Sequence, residues 1–339
     1  MAPTSDDLKK RVAVVVIGRN EARRLPACLQ AIDRGVAAIV YVDSGSTDDS
    51  MALALGAGVE AVNLDNSAPF TAARGRNAGV TKLAELAPNA EFVQFVDGDC
   101  VFDPQWLELA AKVLVNRDDA VAVIGRLREV APEQSIYNRL CDLEWGGVTP
   151  GEVRAFGGIV MMRLSSLNAV GGWNPQIIAA EDDELSIRLR ASGSVILRVP
   201  ATMAFHDANL LRFGQWWRRS VRCGHAYAQL SSLHGGSSER YFNHEVRRAF
   251  LWGLALPAAS VGLLVPTLGL SSAMLGLYPL QVARLAKRHT DAGVPLRDAA
   301  QFGTAAVLAR FAEVQGLLLF HYNRRINRQT EIIEHKRPG

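Results

Sequence analysis

The chain has 339 residues, of which 49% are hydrophobic and 21% are charged, and its formal net charge is +3 at pH 7. This composition excludes wholesale disorder, and the near-neutral charge argues against a nucleic-acid partner. Four cysteines without a CxxC pair exclude a disulfide-stapled fold and indicate reduced thiols. The chain opens without a signal-peptide pattern, so we expect its N-terminal part inside the cell.

Short apolar runs alternate with helical patterns over the first 230 residues, which predicts an α/β fold. Each predicted strand ends in polar residues, and open α/β sheets bind ligands beyond the carboxyl ends of their strands. We therefore expect a binding site at that edge. In chain order, we predict a strand at 11–17, a helix at 21–32, a strand at 38–42, a helix from about 47, a strand at 59–64, a helix at 72–86 and a strand at 91–96.

The composition changes after residue 205. Seven arginines and only three acids lie between Phe205 and Arg248, and no charged residue occurs in the 35 residues from Ala249 to Ala283. We place a boundary near residue 235, which predicts an α/β domain over 1–235 and a helical region over 236–339.

Two carboxylates separated by one glycine, Asp97 and Asp99, follow the last of these strands. Gly98 permits a kink that turns both side chains toward one site. Neighbouring carboxylates need a proton or a cation to coexist, and hard oxygen ligands suit Mg²⁺ or Mn²⁺. A turn that uses Asp and Gly for their backbone preferences is the alternative.

Five segments occur in a characteristic order, and together they resemble the family 2 glycosyltransferases. Members of that family have the GT-A fold, a Rossmann-like mixed sheet flanked by helices that binds a nucleotide sugar. The resemblance covers roughly residues 11–230. The segments are Val12–Glu21 (VAVVVIGRNE), Val42–Ser50 (VDSGSTDDS), Ala73–Gly79 (ARGRNAG), Phe95–Asp99 (FVDGD) and Glu181–Leu189 (EDDELSIRL).

The resemblance implies a divalent cation, Mn or Mg, at the family's DXD motif. By this correspondence Asp99 binds the cation that bridges the donor diphosphate, and Asp97 contacts the ribose or uracil side and completes the metal set. In several GT-A enzymes a histidine at the position of His206 is a third ligand, although a structural role is the alternative. Asp43 matches the family's carboxylate for the nucleobase, and a helix cap is its alternative, which Ser46 could supply instead.

Further residues are predicted to bind the nucleotide sugar. An arginine guanidinium is suited to clamp a phosphate, and we expect one of the two arginines in the third segment to lie on the surface instead. Asn20 and Glu21 begin the family's nucleotide pocket, and each could equally cap a helix. The predicted donor-binding set is Asn20, Glu21, Asp43, Arg74, Arg76, Asn77, Asp97, Gly157 and Gly158.

Four consecutive acids, Glu181–Glu184, precede an apolar helical run. The helix dipole favours acids in the first turn, which explains one or two of them but not four like charges. The resemblance makes Asp182 the general base that takes the proton of an acceptor hydroxyl, with Glu181 or Asp183 as alternatives.

Acceptor-side residues are predicted at Trp173, Gln215, Trp216 and Arg218. The segment 215–219 (QWWRR) only partly resembles the QxxRW motif of processive family members, because Arg219 stands where tryptophan is expected. This departure argues against processive synthesis. The Trp pair could stack on a sugar or pack into the core, and we expect the loops at about 132–151 and 173–180 to decide specificity.

The uncharged stretch Ala249–Ala283 has basic residues on both sides. The positive-inside tendency then favours a re-entrant or interfacial membrane hairpin, split near Pro266, over a single crossing. A buried helical pair or a subunit interface is the alternative. The segment 302–320 carries Arg310 and Glu313, which predicts an amphipathic helix.

The sequence thus predicts an inverting hexosyltransferase that moves a sugar from a nucleotide-diphosphate donor to a hydroxyl acceptor, lipid-linked or a cell-surface glycan precursor. Its catalytic domain would lie in the cytoplasm at the inner face of the cell membrane. Formation of a homo-oligomer is a further possibility. A nucleotidyltransferase is one alternative, but the loop after the first strand lacks the expected Gly-rich basic pattern. A non-catalytic scaffold is the other, and it gives no reason to keep buried acids at 43, 97, 99 and 182.

Overall fold

A computed structural model describes residues 4–146 and 149–328. The chain divides into two compact units. The first contains the described residues up to Val130 together with Asp142–Ala208, and the second contains Ala131–Cys141 and the described residues from Asn209 onward. The compositional boundary near residue 235 differs from this division, and the functions expected for 1–235 and 236–339 stay predictions.

The first unit is built on one mixed sheet, which confirms the predicted α/β class. Its strands are β1 (Val12–Gly18), β2 (Ala38–Asp43), β3 (Glu60–Asn63), β4 (Phe92–Asp97), β5 (Cys100–Phe102), β6 (Ala120–Glu129), β7 (Gly151–Glu152), β8 (Val160–Arg163) and β9 (Val195–His206). The strand order is β3-β2-β1-β4-β8-β6-β9-β5, and β7 pairs with β9. Strands β3, β2, β1 and β4 are parallel, whereas β8 is antiparallel to β4.

The register of the parallel strands brings their polar ends to one edge. Gly18 at the end of β1 lies opposite Asp43 of β2, and Ile17 lies opposite Asp97 of β4. The body of β1 is an uninterrupted apolar run, the body of β4 is apolar except for Gln94, and the side chains of both are buried, as expected for strands covered on both faces. The buried strands therefore fix where the carboxylates emerge.

Helices cover this sheet, and a glycine lets one of them approach closely. A Cβ at Gly79 would lie 2.4 Å from Cγ1 of Val15, so only glycine permits this packing against β1. Helix α6 contains the division between the two units. The helices up to residue 191 are α1 (Ser5–Lys9), α2 (Leu25–Gln30), α3 (Ser50–Gly56), α4 (Ala72–Leu86), α5 (Trp106–Asn116), α6 (Ile136–Gly146), α7 (Leu164–Ala169) and α8 (Glu181–Ala191).

Two predicted helix starts are wrong. Helix α2 begins at Leu25 with Pro26 in its first turn, where proline is favoured, so Asn20 is not its N-cap. Asn20 instead has a left-handed backbone, with φ of 58°. Helix α3 begins at Ser50 rather than near residue 47, because the Ser-Gly-Ser stretch and Thr47 form the turn after β2.

The second unit is helical. Glycines lie where α9 crosses α13: a Cβ at Gly224 would lie 2.0 Å from the carbonyl oxygen of Glu313, and one at Gly316 would lie 2.0 Å from that of Val221. The elements after residue 209 are α9 (Phe213–His234), α10 (Asn243–Phe250), a one-turn π-helix (Leu251–Ala255), α11 (Leu256–Gly262), a 3₁₀-helix (Leu270–Gly276), α12 (Leu277–Asp291) and α13 (Leu296–Arg325).

Among the described residues one helix, α13, is long and apolar enough to cross a membrane, with a mean hydropathy of 1.3 and 39% of that stretch buried. This helix alone is weak evidence for a span, because core helices of soluble proteins meet the same criterion. The uncharged stretch 249–283 forms shorter elements, each below the roughly 20 residues that a crossing requires. The segment 302–320 lies within α13.

Candidate active site

Asp43 is held rigidly where β2 ends. Its carboxylate is buried and accepts hydrogen bonds from the Tyr41 hydroxyl at 3.0 Å and from the Ser46 backbone N–H at 2.7 Å. The Ser46 hydroxyl donates to the same carboxylate at 2.5 Å. The turn after β2 therefore fixes the carboxylate at the edge of the sheet, where its predicted role in binding a nucleobase requires it.

Asp99 meets His206 because of strand pairing. Strand β5 runs antiparallel to β9 and places Cys100 opposite His206, so the residue before β5 lies beside the end of β9. Oδ2 of Asp99 is 3.3 Å from Nε2 of His206, and Oδ1 accepts from the Cys100 thiol at 3.3 Å. Ligand atoms of these three residues all lie within 4.8 Å of one another. The structure thus brings two members of the predicted metal set together.

The donor set suits a hard divalent cation. Adjacent ligands of an octahedral ion lie roughly 3 Å apart, close to the separation of the Asp99 and His206 atoms. A carboxylate oxygen and an imidazole nitrogen are acceptable ligands for Mn²⁺, whereas a thiol suits softer metals. In the described chain, Nδ1 of His206 is buried without a hydrogen-bond partner. Asp99 and His206 therefore fit the predicted cation, and Asp97 lies outside the three-residue cluster.

Trp145 packs against His206. The two rings stack with centroids 4.8 Å apart and an interplanar angle of 23°. This contact restricts rotation of the imidazole and places a half-buried indole next to the candidate metal ligands. The sequence prediction missed Trp145, although it lies in the 132–151 segment expected to decide specificity.

Arg76 is fully enclosed and joins the donor-side and acid-rich segments. Its Nη1 lies 2.6 Å from Oε1 of Glu181 and its Nη2 lies 3.3 Å from Oδ1 of Asp97. The guanidinium also lies over the Trp173 ring, 4.6 Å from its centroid. Since the side chain is only 2% exposed, its charge is balanced within the protein by these two carboxylates. Arg76 therefore positions Asp97 and Glu181.

The two predicted glycines, Gly157 and Gly158, give these side chains room. A Cβ at Gly158 would lie 2.6 Å from Nη2 of Arg76 and 3.4 Å from Oδ2 of Asp97. A Cβ at Gly157 would come within 4.0 Å of Oδ2 of Asp182. The glycine pair before β8 therefore lies between the arginine and the candidate base.

The four acids of α8 have separate environments. Glu181 pairs with Arg76, and Glu184 pairs with Arg188 at 2.7 Å. Burial raises the pKa of Asp182 well above the ordinary value, the neighbouring charges of Glu181 and Asp183 raise it further, and Arg76 partly opposes them. A carboxyl whose pKa is raised in this way is a stronger base than an ordinary aspartate, which suits general base catalysis.

Ala180, which precedes α8, has φ of 59°. A left-handed backbone is unfavourable for alanine, and such strain is concentrated at functional sites. This turn sets the direction in which α8 presents its first acids.

Two predicted donor-binding residues hold neighbouring loops instead of pointing freely into the site. The Arg74 guanidinium donates to the carbonyl oxygens of Ala68 and Pro69 and pairs with Asp65 at 3.2 Å. The Asn20 side chain accepts from the Thr47 backbone N–H at 2.7 Å. Of the two arginines in this segment, Arg76 is thus the one brought to the acid-rich centre.

Asn77 and Trp173 form a structural pair. The Asn77 side chain accepts from the Trp173 N–H at 3.0 Å and donates to its carbonyl oxygen at 2.7 Å. The indole is 1% exposed and packs edge-on against Phe95 and Phe156. Trp173, which was predicted to lie on the acceptor side, is therefore a core residue whose ring packs against the Arg76 guanidinium.

Gln215, Trp216 and Arg218 lie on α9, in the second unit. The Gln215 side chain accepts from the backbone N–H groups of Leu211 and Arg212, so it caps the helix. Trp216 is buried and stacks on Tyr137, with centroids 6.1 Å apart. Of the two possibilities for this tryptophan, core packing is the one that its environment supports, and the acceptor-side role of the three residues stays a prediction.

Arg24 is a second residue that the sequence prediction missed. One nitrogen of its guanidinium lies 2.5 Å from Oε2 of Glu21, and the other lies 3.4 Å from Oδ2 of Asp207. The spacing of Glu21 and Arg24, three residues apart, was a signal for the first contact. Nothing in the sequence signals the second. Glu21 is therefore held by a cation next to the metal cluster.

The mixed sheet with flanking helices has the architecture of the GT-A fold. Residues 13–163 match the family model described as glycosyl transferase family 2. This match confirms, for that part of the chain, the resemblance identified from its motifs.

Similar proteins include two whose solved structures contain Mn²⁺ and either a nucleotide or a sugar nucleotide. A mannosyltransferase from Pyrobaculum calidifontis, solved in complex with GDP-Man and Mn²⁺, has a TM-score of 0.58 at 19% identity, covering 91% of this chain and 87% of that chain. Glucosyl-3-phosphoglycerate synthase from Mycobacterium tuberculosis, solved with Mn²⁺, UDP and glucosyl-3-phosphoglycerate, has a TM-score of 0.48 at 16% identity, covering 70% and 87%. A TPR repeat-containing protein from Synechococcus elongatus is 28% identical over 134 residues, which is 39% of this chain and 31% of that protein.

Proposed function

We propose that this protein is a metal-dependent, inverting hexosyltransferase that moves a sugar from a nucleotide-diphosphate donor to a hydroxyl acceptor. The observation that carries the proposal is the pairing of Asp99 with His206 at 3.3 Å, in the turn that follows β4, the strand that ends in Asp97. Open α/β sheets bind their ligands beyond the carboxyl ends of the strands, and this general rule supports the proposal. The Pyrobaculum mannosyltransferase, which shares the fold, was solved with a sugar nucleotide and Mn²⁺.

Each residue of the edge has a part in holding the donor. Asp43 would accept hydrogen bonds from the nucleobase, and Asp97 would accept from the ribose. A divalent cation held by Asp99 and His206 would neutralise the charge that develops on the departing diphosphate. Trp145 keeps the His206 ring in place through stacking.

Asp182 would act as the base. Its carboxylate takes the proton of the acceptor hydroxyl while the oxygen forms a bond to the anomeric carbon. The bond from that carbon to the diphosphate oxygen breaks at the opposite face, so the configuration inverts and the nucleoside diphosphate leaves. Arg76, which is held between Glu181 and Asp97, keeps the acidic helix and the donor-side strand at a fixed separation.

We further propose that the acceptor is lipid-linked or a cell-surface glycan precursor, and that the enzyme works at the inner face of the cell membrane. The basic residues around the uncharged stretch support a membrane surface as a partner. Assembly with a second copy is the other use for that stretch.

A donor screen tests the proposed reaction. The full chain is incubated with UDP-, GDP- and dTDP-sugars and either Mn²⁺ or Mg²⁺, and released nucleoside diphosphate and the anomeric configuration of the product are measured. We expect one donor class to be used, with loss of turnover on EDTA treatment and in Asp99→Ala, and no loss in the exposed control Asp118→Asn. Release of pyrophosphate instead would indicate a nucleotidyltransferase. EDTA-resistant transfer that also persists in Asp99→Ala would show that the metal assignment is wrong.

A further inference from the structure

A short segment of the second unit exposes nearly every apolar side chain it has. Between the end of α11 and the start of the 3₁₀-helix, Leu268 is 94% exposed and Val265 is 86% exposed. Val261 and Leu270 on either side are also exposed. We name residues 261–270 the apolar tip. A soluble surface rarely leaves so many aliphatic groups together in water, and a contiguous patch of this kind marks an interaction site.

The polar groups at the base of the apolar tip are satisfied internally. The Ser260 hydroxyl donates to the carbonyl oxygen of Ser271 at 3.0 Å, and the Ser271 hydroxyl donates to that of Ser260 at 2.7 Å. These reciprocal bonds close the hairpin. Both serines are buried, so the hairpin is held by groups that do not depend on water.

The turn itself is closed in the same way. The Thr267 hydroxyl donates to the carbonyl oxygen of Leu263 at 2.5 Å and accepts from the Ser271 N–H at 3.0 Å. The Gly269 backbone N–H donates to the carbonyl oxygen of Leu264 at 2.7 Å. A segment that enters an apolar medium has to satisfy its backbone and hydroxyl groups internally, and this one does so at these positions.

Leu268 has a further unfavourable property. Its φ is 52°, in the left-handed region that is unfavourable for leucine. The chain thus holds its most exposed leucine in a strained conformation. Neither strain nor exposure benefits an isolated protein, which points to a benefit from a partner outside the chain.

The charge pattern identifies the partner. No charged residue occurs from Ala249 to Ala283, and exposed basic residues return on α12 at Arg284, Lys287 and Arg288, of which Lys287 pairs with Asp291 at 2.8 Å. At 1.5 Å per residue, Arg284 lies about 10 Å along α12 from Leu277. Interfacial segments bury their apolar face roughly 5–10 Å into the headgroup and acyl boundary. The basic part of α12 therefore begins about 10 Å beyond the end of the preceding uncharged elements, a distance comparable to the step from the acyl boundary to the lipid headgroups.

We propose that the apolar tip inserts into one leaflet of an anionic lipid bilayer, with Arg284, Lys287 and Arg288 on the headgroups, and that it does not cross the membrane. This inference rests on the membrane-surface part of the proposed function and is independent of sugar transfer. It specifies the inserting residues and requires anionic lipid.

Vesicle flotation tests the insertion. The full chain is mixed with vesicles of phosphatidylcholine plus phosphatidylglycerol or of phosphatidylcholine alone. We expect the wild type to float with the anionic vesicles and Val265→Ser/Leu268→Asn to bind about 100-fold more weakly. Asparagine tolerates the left-handed backbone, so this variant should melt no lower than the wild type. The matched control Leu55→Ser changes an exposed leucine of α3 and should float like the wild type.

The basic residues have their own variant. Arg284→Gln/Arg288→Gln should weaken binding to anionic vesicles about 30-fold and lose most of the salt dependence, with little change on neutral vesicles.

The outcomes separate the inference from the proposals it accompanies. Asp99→Ala should float like the wild type, so catalysis and docking fail independently. Equal flotation of the wild type and the tip variant would overturn the inference while leaving a membrane surface as partner. If the wild type does not bind vesicles but forms a dimer, and the tip variant is a monomer, the inference is wrong and the apolar tip contacts a second copy of the chain.

Discussion

The sheet edge of the first unit and the apolar tip of the second are unfavourable in opposite ways. The first encloses charged groups, among them Arg76, Glu181 and Asp99, and removing such an ion from water costs several kcal/mol before pairing. The second leaves Val265 and Leu268 in water, each forgoing about 1.5–3 kcal/mol of burial. A cation with a nucleotide sugar would compensate the first, and lipid would compensate the second. Enclosed charges therefore indicate a charged ligand, and exposed apolar side chains indicate an apolar partner.

The strongest way to break this comparison is to neutralise the candidate base. Asp182→Asn should lower kcat by about 10²–10⁴, because asparagine cannot take the acceptor proton. The same change should raise the melting temperature at neutral pH, since it removes a half-buried carboxyl crowded by Glu181 and Asp183. Turnover and thermal unfolding are measured on one preparation. Full activity would show that another group is the base.

Arg76→Met tests whether enclosed charges depend on one another. Removing the guanidinium takes away the cation that pairs with the buried Glu181, and we expect the free energy of unfolding to fall by about 3–5 kcal/mol. The control Arg117→Met breaks an exposed pair with Asp119 and should cost less than about 1 kcal/mol. Urea denaturation measures both. If the two variants lose the same free energy of unfolding, the buried ion pairs of Arg76 stabilise the protein no more than the exposed pair of Arg117 does.

Gly158→Ala probes the space around the same guanidinium. The new methyl group would lie 2.6 Å from Nη2, so either Arg76 or the backbone has to move, at about 1–3 kcal/mol. Gly56→Ala is the matched control, because a Cβ there meets nothing within 4 Å and alanine favours the helix. An unchanged melting temperature in Gly158→Ala would show that the site is looser than described.

The pH dependence should show the smallest effect. The pKa of Asp182 is raised above its ordinary value of 3.8, so the carboxylate form needed for catalysis is reached only at higher pH. The acidic limb of kcat/KM should therefore lie above that of an exposed aspartate. The folded state binds the proton more tightly than the unfolded state, so the stabilisation is present below pH 3.8 and is lost as pH rises through the folded-state pKa. If kcat/KM does not change with pH between 3.8 and the folded-state pKa, Asp182 is not the catalytic base.

Local patterns were sufficient for much of the first unit. The apolar β-branched run predicted β1, and α4 was predicted with its observed bounds at Ala72–Leu86. The strand ends carrying Asp43 and Asp97 followed from the same patterns. These features depend on neighbours in sequence, which periodicity records.

Other parts depend on contacts that the sequence does not encode locally. His206 meets Asp99 through the pairing of β5 with β9, across more than a hundred residues, and Trp145 reaches His206 from another segment again. Arg74 and Arg76 are two residues apart on one helix, yet only Arg76 reaches Glu181. Trp173 was predicted on the acceptor side but packs in the core, because burial is decided by the assembled sheet.

The most direct test of the central claim is a Mn²⁺ titration of the full chain in the presence of GDP or UDP, followed by electron paramagnetic resonance. We expect saturable binding by the wild type and by the exposed control Asp118→Asn. Asp99→Asn and His206→Ala should each weaken it by more than about 100-fold, beyond the loss typical of outer-shell partners. Wild-type affinity in both ligand variants would contradict the assignment of the cation to Asp99 and His206.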